Sequence, residues 1–314
     1  MTDTEIDVGA DREALGRTVA VLTGKGGVGK TSITANLSGQ LAAAGYRVLA
    51  VDLDVSGNLA LDLGYANDPR HDQAKSLVRA VWDDEALQVI ADVRPNLDVL
   101  PGGRHLELLS SIATTTAAQE LPGGSVPRAF AHKLAEIAAD YDLLVLDCAP
   151  GHSVLQEMAL SAARYLLIPT RTDAAGWDGL RMIGPRVKKA REHNPDLAYL
   201  GAVLFGTQAS ATRVRRNTVA RLDEVSDRVP LFQSYIRYSE TAAHDCRLRG
   251  QLAHELAHDA KATQAQRFAA LRDATAPMPE SLSETAGGLA GDYLALAREV
   301  LARINTHESE AAGA

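Results

Sequence analysis

The chain lacks the residues that mark disulfide-rich, iron–sulfur and strongly basic proteins. Its 314 residues include only two cysteines, Cys148 and Cys246, which lie far apart and outside any C-x-x-C spacing. This scarcity argues against a disulfide scaffold, an iron–sulfur centre and a cysteine-rich zinc site. The formal net charge is −8. The chain is therefore no polycation, and any contact with DNA must come from a local basic patch.

Long apolar segments are also missing. No uninterrupted apolar run approaches 18 residues, and the amino terminus does not read as a signal peptide. We therefore expect a cytoplasmic protein. Hydrophobic residues make up 46% of the chain and charged residues 23%, which is typical of an ordinary globular protein.

A phosphate-binding loop is present in full. Residues 24–31 read Gly-Lys-Gly-Gly-Val-Gly-Lys-Thr, a complete G-x-x-x-x-G-K-[ST] motif. A β-rich run precedes it and a helix-like run follows, as this motif requires. Glycines let backbone N–H groups turn toward phosphates, and the following helix adds its positive dipole end. The predicted nucleotide-binding residues are Gly24, Lys25, Gly26, Gly27, Val28, Gly29, Lys30, Thr31 and Ser32.

Acidic residues near this loop complete a site for phosphoryl transfer. Lys30 supplies a positive charge for the outer phosphates, and the Thr31 hydroxyl is offered to Mg²⁺. Phosphoryl transfer also needs carboxylates that hold Mg²⁺ and position water. The apolar run 143–146 ends in Asp147, which is the Walker B pattern, and Asp52 and Asp54 follow another apolar run. The sequence therefore predicts ATP and Mg²⁺ as cofactors.

Short apolar runs alternate with alanine-rich helical stretches along most of the chain. The strand candidates are 18–23, 47–52, 97–100, 143–147, 165–170 and 199–205, with a further short one at 229–232. Apolar strands that alternate with helices are typical of a parallel sheet buried on both faces. The predicted fold is α/β, a doubly wound, mostly parallel sheet flanked by helices. We predict a single domain over residues 16–306 and flexible tails at 1–15 and 307–314.

An additional lysine in the loop, Lys25, indicates a family resemblance. With Lys25 after its first glycine, the loop resembles the deviant Walker A motif of the ParA/MinD class of P-loop NTPases. Residues 147–151 are similar to the segment that begins Asp-Cys-Pro-Pro in ParA proteins. Residues 52–58 are similar to the family's Asp-x-Asp-Pro-Gln-Gly-Asn, with Val55-Ser56 in place of Pro-Gln. The similarity extends with less specific segments over residues 17–305.

This resemblance implies an ATPase that forms a sandwich dimer with ATP. In the family, the lysine that matches Lys25 reaches across the dimer to the partner's ATP. The resemblance also implies that Asp54 places or activates the attacking water. The implied catalytic residues are Lys25, Lys30 and Asp54, the implied metal-site residues are Thr31, Asp52 and Asp147, and the implied adenine contacts are Thr207 and Gln208.

Binding to DNA is a further implication of the resemblance. ParA proteins bind DNA without sequence preference through basic residues, and binding to phosphates weakens as salt rises. The candidates here are Arg213, Arg215, Arg216, Arg247 and Arg249. A solvated helix face is the alternative interpretation of such a cluster. The implied role is DNA segregation or cargo positioning on the nucleoid, with a ParB-like or cargo-adaptor protein that stimulates hydrolysis and releases the dimer.

Three other functions are open to the sequence. One is a metabolic P-loop enzyme such as an amide ligase or a metal-ion pump, but the sequence has no separate substrate motif. A MinD-like ATPase would end in a basic amphipathic helix on anionic lipid, whereas residues 302–310 are acidic and polar, so we expect no membrane binding. Residues 254–258 read His-Glu-Leu-Ala-His, which matches the H-E-x-x-H motif of zinc peptidases, with Glu255 as the base. No third ligand is evident, and we interpret this match as a coincidence on a helix rich in alanine, histidine and glutamate.

Overall fold

A computed structural model describes residues 8–207, 229–270, 282–283 and 285–313. Within these ranges eight strands form one sheet: β1 (Thr18–Val21), β2 (Val48–Leu53), β3 (Ile90–Arg94), β4 (Leu97–Leu100), β5 (Leu143–Cys148), β6 (Tyr165–Thr170), β7 (Ala198–Thr207) and β8 (Leu231–Arg237). Their order across the sheet is β3-β4-β2-β5-β1-β6-β7-β8. Strand β3 runs antiparallel to β4, and the other neighbours pair in parallel. The predicted mostly parallel sheet is confirmed.

Helices cover both faces of this sheet. The described α-helices are α1 (Val8–Ala14), α2 (Lys30–Ala43), α3 (Leu59–Asp62), α4 (Lys75–Trp82), α5 (Glu107–Ile112), α6 (Val126–Ala138), α7 (Ser153–Ala162), α8 (Ala174–Ala190), α9 (Glu240–Arg249), α10 (Ala253–Ala270) and α11 (Ala286–Ala312). Short 3₁₀ helices lie at Arg104–Leu106, Thr116–Glu120 and Pro122–Gly124. Among the described helices, none is both long enough and apolar enough to cross a membrane.

The central strands are buried along their whole length. On β5, Leu144 and Leu146 join one hydrophobic cluster with Leu134 of α6, whereas Val145 joins a second cluster with Leu37 of α2. Successive side chains of a strand point to opposite faces, so both faces of β5 need apolar residues. The same holds for β1, β2 and β6, all of whose residues are buried. This explains why these strands read as continuous apolar runs in the sequence.

The two edge strands differ from the sequence prediction. Strand β3 was not predicted, because Ile90 is its only buried residue and the other four positions carry no apolar run. Strand β8 was expected at 229–232, but it covers Leu231–Arg237 and includes the polar residues Gln233 and Ser234. An edge strand has a neighbour on one side only, so it tolerates polar residues that a central strand would exclude.

Carboxylates of α11 accept hydrogen bonds from backbone N–H groups of β8. Glu299 accepts hydrogen bonds from the backbone N–H groups of Gln233 (2.7 Å) and Ser234 (2.8 Å). Asp292 accepts from the backbone N–H of Arg237 at 2.9 Å and from its Nε at 2.6 Å. An edge strand otherwise leaves such donors without a protein partner. The side chains of α11 therefore hold a polar strand in the sheet.

Replacing Glu299 with glutamine should destabilise the fold by about 1 kcal/mol at neutral pH, because one oxygen acceptor becomes an amide donor. Burial favours the neutral carboxyl, but hydrogen bonds from Gln233 and Ser234 outweigh it and hold the pKa of Glu299 below its usual value. A lowered pKa stabilises the fold above the ordinary glutamate value, about 4.3, and this contribution is lost as pH falls through the lower folded pKa.

The measurement is urea unfolding of wild type and Glu299→Gln at pH 7 and near pH 3. We expect the difference in free energy of unfolding to shrink at the lower pH. Glu310→Gln is the control, because Glu310 is an exposed carboxylate on the same helix. A difference that stays constant with pH would contradict the assignment.

The predicted flexible tails contain helices that contact the rest of the chain. Within 8–14, the Asp11 carboxylate lies 2.9 Å from Nδ1 of His132, and Arg12 donates to the backbone carbonyl of His193 at 2.8 Å. At the other end α11 continues to Ala312, and Glu308 accepts a hydrogen bond from Nε of Arg17 at 2.7 Å. Polar side chains therefore hold both segments against the rest of the described chain. Residues 1–7 and 314 lie outside the described residues.

Candidate nucleotide-binding site

The glycine-rich loop joins the carboxyl end of β1 to the first turn of α2. Gly27 and Gly29 have φ values of 75° and 79°, in the left-handed region that favours glycine. A side chain at Gly29 would also collide with the ring of Phe205, since an added Cβ would lie 2.2 Å from it. These glycines thus meet a steric requirement of the fold, as the motif predicts.

The start of the loop lies against α8. A Cβ added at Gly24 would come within 2.6 Å of the Gly179 carbonyl oxygen, so this close approach requires glycine at position 24. Lys25 is exposed, and its Cβ lies next to Gly179. Its side chain therefore begins at the surface where α8 meets the loop. Sequence reasoning did not single out Gly179, whose role depends on this long-range contact.

Lys30 is buried, in contrast to Lys25. The residue is only 6% exposed, and its Nζ lies 3.5 Å from the Lys25 carbonyl oxygen. Burial lowers the pKa of Lys30, and the nearby carboxylate of Asp147 acts in the opposite direction. A buried ammonium with one long hydrogen bond is poised to bind a further anion.

Two carboxylates converge beside Lys30. Asp52 on β2 and Asp147 on β5 are paired in register, and both are fully buried. Within the described structure, both oxygens of Asp147 and Oδ2 of Asp52 make no hydrogen bond of ordinary geometry, and the Thr31 hydroxyl lies near Asp147. Burial raises the pKa of Asp147 to about 7, and burial together with Asp147 raises the pKa of Asp52 well above its usual value.

These unpartnered oxygens fit a divalent cation. Buried carboxylate oxygens are normally hydrogen-bonded, and a bound cation would satisfy them. Mg²⁺ is typically held by one or two carboxylates together with substrate phosphates and waters. The described residues contain no group of three or more His, Cys, Asp or Glu side chains arranged for a metal. Asp52, Asp147 and the adjacent Thr31 therefore suit Mg²⁺ bound with a phosphate ligand, not a closed protein cage.

Residues 52–58, which we call the aspartate loop, hold Asp54 in a fixed orientation. Its Oδ1 accepts hydrogen bonds from the backbone N–H (2.9 Å) and the hydroxyl (2.6 Å) of Ser56. Its backbone N–H donates to Oδ1 of Asp52 at 2.9 Å. The sequence Val55-Ser56 therefore lies in a defined turn, which the Gly57 N–H closes by donating to the Asp54 carbonyl at 3.0 Å.

The segment after β4 supports the aspartate loop. A Cβ added at Gly102 would lie 2.6 Å from Cγ of Asp52 and from its backbone oxygen. Gly103, with φ of 137°, packs in the same way against Gln73. Only glycine allows the backbone to approach the carboxylate this closely. The signal for this role was the Gly-Gly pair at the carboxyl end of a strand, which the sequence prediction did not use.

A cavity of about 280 Å³ opens beside the second half of the loop. Its lining includes Ser32 and Asn36 of α2, Phe205 of β7, and Arg237 and Tyr238 at the end of β8. The predicted adenine contact Thr207 lies nearby, because its carbonyl accepts a hydrogen bond from the Tyr238 N–H at 3.1 Å. The cavity is therefore the candidate site for the base and sugar of a nucleotide bound on this loop. Gln208 lies outside the described residues.

The candidate DNA-binding arginines fall into two groups. Arg213, Arg215 and Arg216 lie outside the described residues. Arg247 and Arg249 are exposed in the last turn of α9. Arg247 also contacts the nucleotide region, since its Nη2 donates to Oδ1 of Asn58 at 2.6 Å.

The His-Glu-Leu-Ala-His segment has a structural use. It lies in α10, where Arg94 binds Glu255 through two hydrogen bonds of 2.6 and 2.9 Å. The same carboxylate accepts from the backbone N–H of Leu252 at 2.8 Å. Burial opposes ionisation, but Arg94 holds the pKa of Glu255 below its usual value. Glu255 therefore acts as a helix cap and ion-pair partner, which leaves no free base for a zinc peptidase.

Comparisons with known proteins agree with this geometry. A family model described as an AAA domain matches residues 16–199. The sporulation initiation inhibitor protein Soj of Bacillus subtilis (strain 168) is 30% identical over 198 residues, which cover 60% of this chain and 72% of that protein. The chromosome-partitioning ATPase Soj of Treponema pallidum (strain Nichols) is 26% identical over 234 residues, covering 73% and 88%.

Solved structures share the fold at lower identity. An ATP complex of McdA from Cyanothece has a TM-score of 0.68 at 19% identity and covers 91% of this chain and 96% of its own. The septum site-determining protein MinD of Pyrococcus horikoshii OT3, complexed with Mg-ADP, has a TM-score of 0.60 at 24% identity and covers 90% and 95%. At such identities the likeness shows the fold alone.

Proposed function

Since the chain belongs to the ParA/MinD family of P-loop ATPases, we propose that it hydrolyses ATP to drive the segregation of DNA or the positioning of a cargo. The observation that carries this proposal is that three features meet at the carboxyl ends of the central strands. They are the glycine loop, the buried Lys30 ammonium, and the unpartnered carboxylate oxygens of Asp52 and Asp147. Together they offer matched partners to a triphosphate and its cation.

The residues divide the work of phosphoryl transfer. Backbone N–H groups of the loop and the Lys30 ammonium bind the phosphates. Thr31, Asp52 and Asp147 would hold Mg²⁺, which when bound neutralises charge on the phosphate oxygens. Asp54, held by Ser56, positions the attacking water. The cavity beside Ser32 receives the nucleoside.

ATP also controls assembly in this proposal. Two chains pair across their nucleotide sites, and the exposed Lys25 of each chain reaches the other's phosphates. ATP then stabilises the dimer, because only in the dimer do its phosphates contact the positive charge of Lys25 from the second chain. Hydrolysis removes the phosphate contact and returns the protein to monomers. A ParB-like or cargo-adaptor partner accelerates this step.

DNA binding belongs to the same cycle and is tested by charge removal. Replacing Arg213, Arg215 and Arg216 together with alanine should weaken DNA binding. It should also reduce the magnitude of the slope of log affinity against log salt by about 2–3, because a protein that contacts fewer phosphates releases fewer counterions on binding. The measurement is fluorescence anisotropy of labelled duplex DNA with ATP at several salt concentrations. ATP turnover with and without DNA is measured on the same preparations.

A triple replacement of Lys188 and Lys189 in the last turn of α8 and of Arg191, which follows that helix, removes equal charge and serves as the matched control. The proposal expects this control to bind DNA nearly as wild type does. Equal losses in both triple variants would show a general charge effect instead of a binding surface. Wild-type protein that turns over no ATP would contradict the proposed function itself.

A further inference from the structure

A continuous row of side-chain hydrogen bonds leaves Asp54 and reaches α9. The hydroxyl of Ser56 donates to Oδ1 of Asp54 at 2.6 Å and accepts from Nδ2 of Asn58 at 2.7 Å. Oδ1 of Asn58 then accepts from Nη2 of Arg247 at 2.6 Å. The direction of every donor in this row is fixed, because a carboxylate only accepts and a guanidinium only donates.

The row continues from Arg247 back to the glycine loop. Nε of Arg247 lies 3.6 Å from Oδ1 of Asp62, whose other oxygen, Oδ2, accepts from the hydroxyl of Ser32 at 3.1 Å. Asp62 is largely buried, with a side chain 12% exposed, whereas Arg247 is half exposed. Ser32 is the residue directly after Thr31 at the start of α2. One guanidinium thus connects the aspartate loop with the phosphate-binding helix.

The position of Arg247 is better suited to this connection than to DNA. Arg247, Asp62 and Ser32 all line the cavity beside the glycine loop. The guanidinium is engaged by Asn58 and by a carboxylate, and these contacts compete with any phosphate from outside. Ser56 lies at the other end of the row, where its hydroxyl contacts both Asp54 and Asn58.

We propose that Arg247 and Ser56 are positioning residues that link occupancy of the nucleotide site at Ser32 to the orientation of Asp54. The inference rests on the proposed ATP hydrolysis and deepens it by naming what sets the water-positioning carboxylate. A nucleotide contact at Ser32 shifts Asp62, Arg247 follows its ion-pair partner, and Asn58 transmits the change to Ser56. Arg247 is then a part of the hydrolytic site and not of the DNA surface.

The test is the steady-state kinetics of ATP hydrolysis without DNA. Ser56→Ala and Arg247→Ala should each lower kcat by about 10-fold, because the lost contacts orient Asp54. For Ser56→Ala, which lies outside the lining of the nucleoside cavity, KM should stay within about 2-fold of the wild-type value. Arg247→Lys should recover part of kcat, since an ammonium reaches one of the two partners but cannot bridge both. Arg298→Ala removes an exposed arginine of α11 and is the charge-matched control.

A double variant distinguishes a connected row from two separate effects. Ser56→Ala combined with Arg247→Ala should lower kcat no further than either single change, because both break the same row. Losses that multiply would overturn the inference. It would also be overturned if Arg247→Ala kept wild-type kcat and lost only DNA affinity.

Two further comparisons distinguish a loss of folding from a loss of function. Ser56→Ala removes a single oxygen from an exposed loop residue, so it reports on the row even if Arg247→Ala unfolds. If wild type hydrolyses ATP and Ser56→Ala has the same kcat, this inference fails while the proposed function stands. Absence of turnover in wild type would defeat the proposed function, and the inference with it.

Discussion

Lys30→Ala is expected to lose measurable ATP binding. In the structure the Lys30 ammonium is buried and makes one long hydrogen bond, so its charge is available to the phosphates. Removal of one member of a buried charge pair costs about 2–5 kcal/mol, which corresponds to at least a 30-fold loss of affinity. The measurement is calorimetric titration with MgATP at low micromolar protein.

A control is available on the surface of the same domain. Lys75, the first residue of α4, is exposed, and Lys75→Ala removes the same charge without touching the site. Its affinity should equal that of wild type. Affinity of Lys30→Ala within a few fold of wild type would mean that the glycine loop does not bind the phosphates. Circular dichroism of both variants checks that the fold is retained.

Asp54→Ala should have the second large effect, on turnover and not on binding. If Asp54 positions the attacking water, its loss lowers kcat by about 100-fold or more while ATP affinity stays within about 3-fold. ATP then persists on the protein, and the ATP-bound state accumulates. The measurement combines single-turnover hydrolysis with nucleotide retention after gel filtration.

Asp54→Asn refines this experiment. Its amide oxygen can still accept the hydrogen bonds that Ser56 gives to Asp54, so the aspartate loop keeps its turn while the negative charge is lost. Loss of turnover in both variants would assign the role to the charge. Wild-type turnover in Asp54→Ala would remove Asp54 from the hydrolytic mechanism.

The sequence predicted the fold where local pattern and burial agree. In strand β5, four apolar residues precede Asp147 and Cys148. Both faces of the strand are buried, so the continuous apolar run was visible in the sequence. The glycine loop was equally clear in the sequence. The structure explains one of its glycines, since Gly29 has a left-handed backbone conformation beside Phe205. The family model over residues 16–199 shows the family that these motifs indicated.

The remaining differences come from contacts between residues far apart in the chain. Strand β8 is polar and stays in the sheet because Glu299 and Asp292 bind its N–H groups. Arg247 is a surface arginine by pattern, yet it bonds to Asn58, 189 positions away. No local spacing encodes such a contact. Helix α1, in the segment predicted as a tail, also depends on a distant contact, since the partner of Asp11 is a histidine on α6.

The measurement that tests the whole account most directly is the mass of the protein in each nucleotide state. Light scattering of wild type should give twice the 33.4 kDa chain mass with a non-hydrolysable ATP analogue and the single-chain mass with ADP. Lys25→Ala should bind the analogue and keep the single-chain mass. A wild-type protein that binds the analogue as a monomer, or a Lys25→Ala variant that dimerises as well as wild type, would contradict the proposed ATP-controlled dimer.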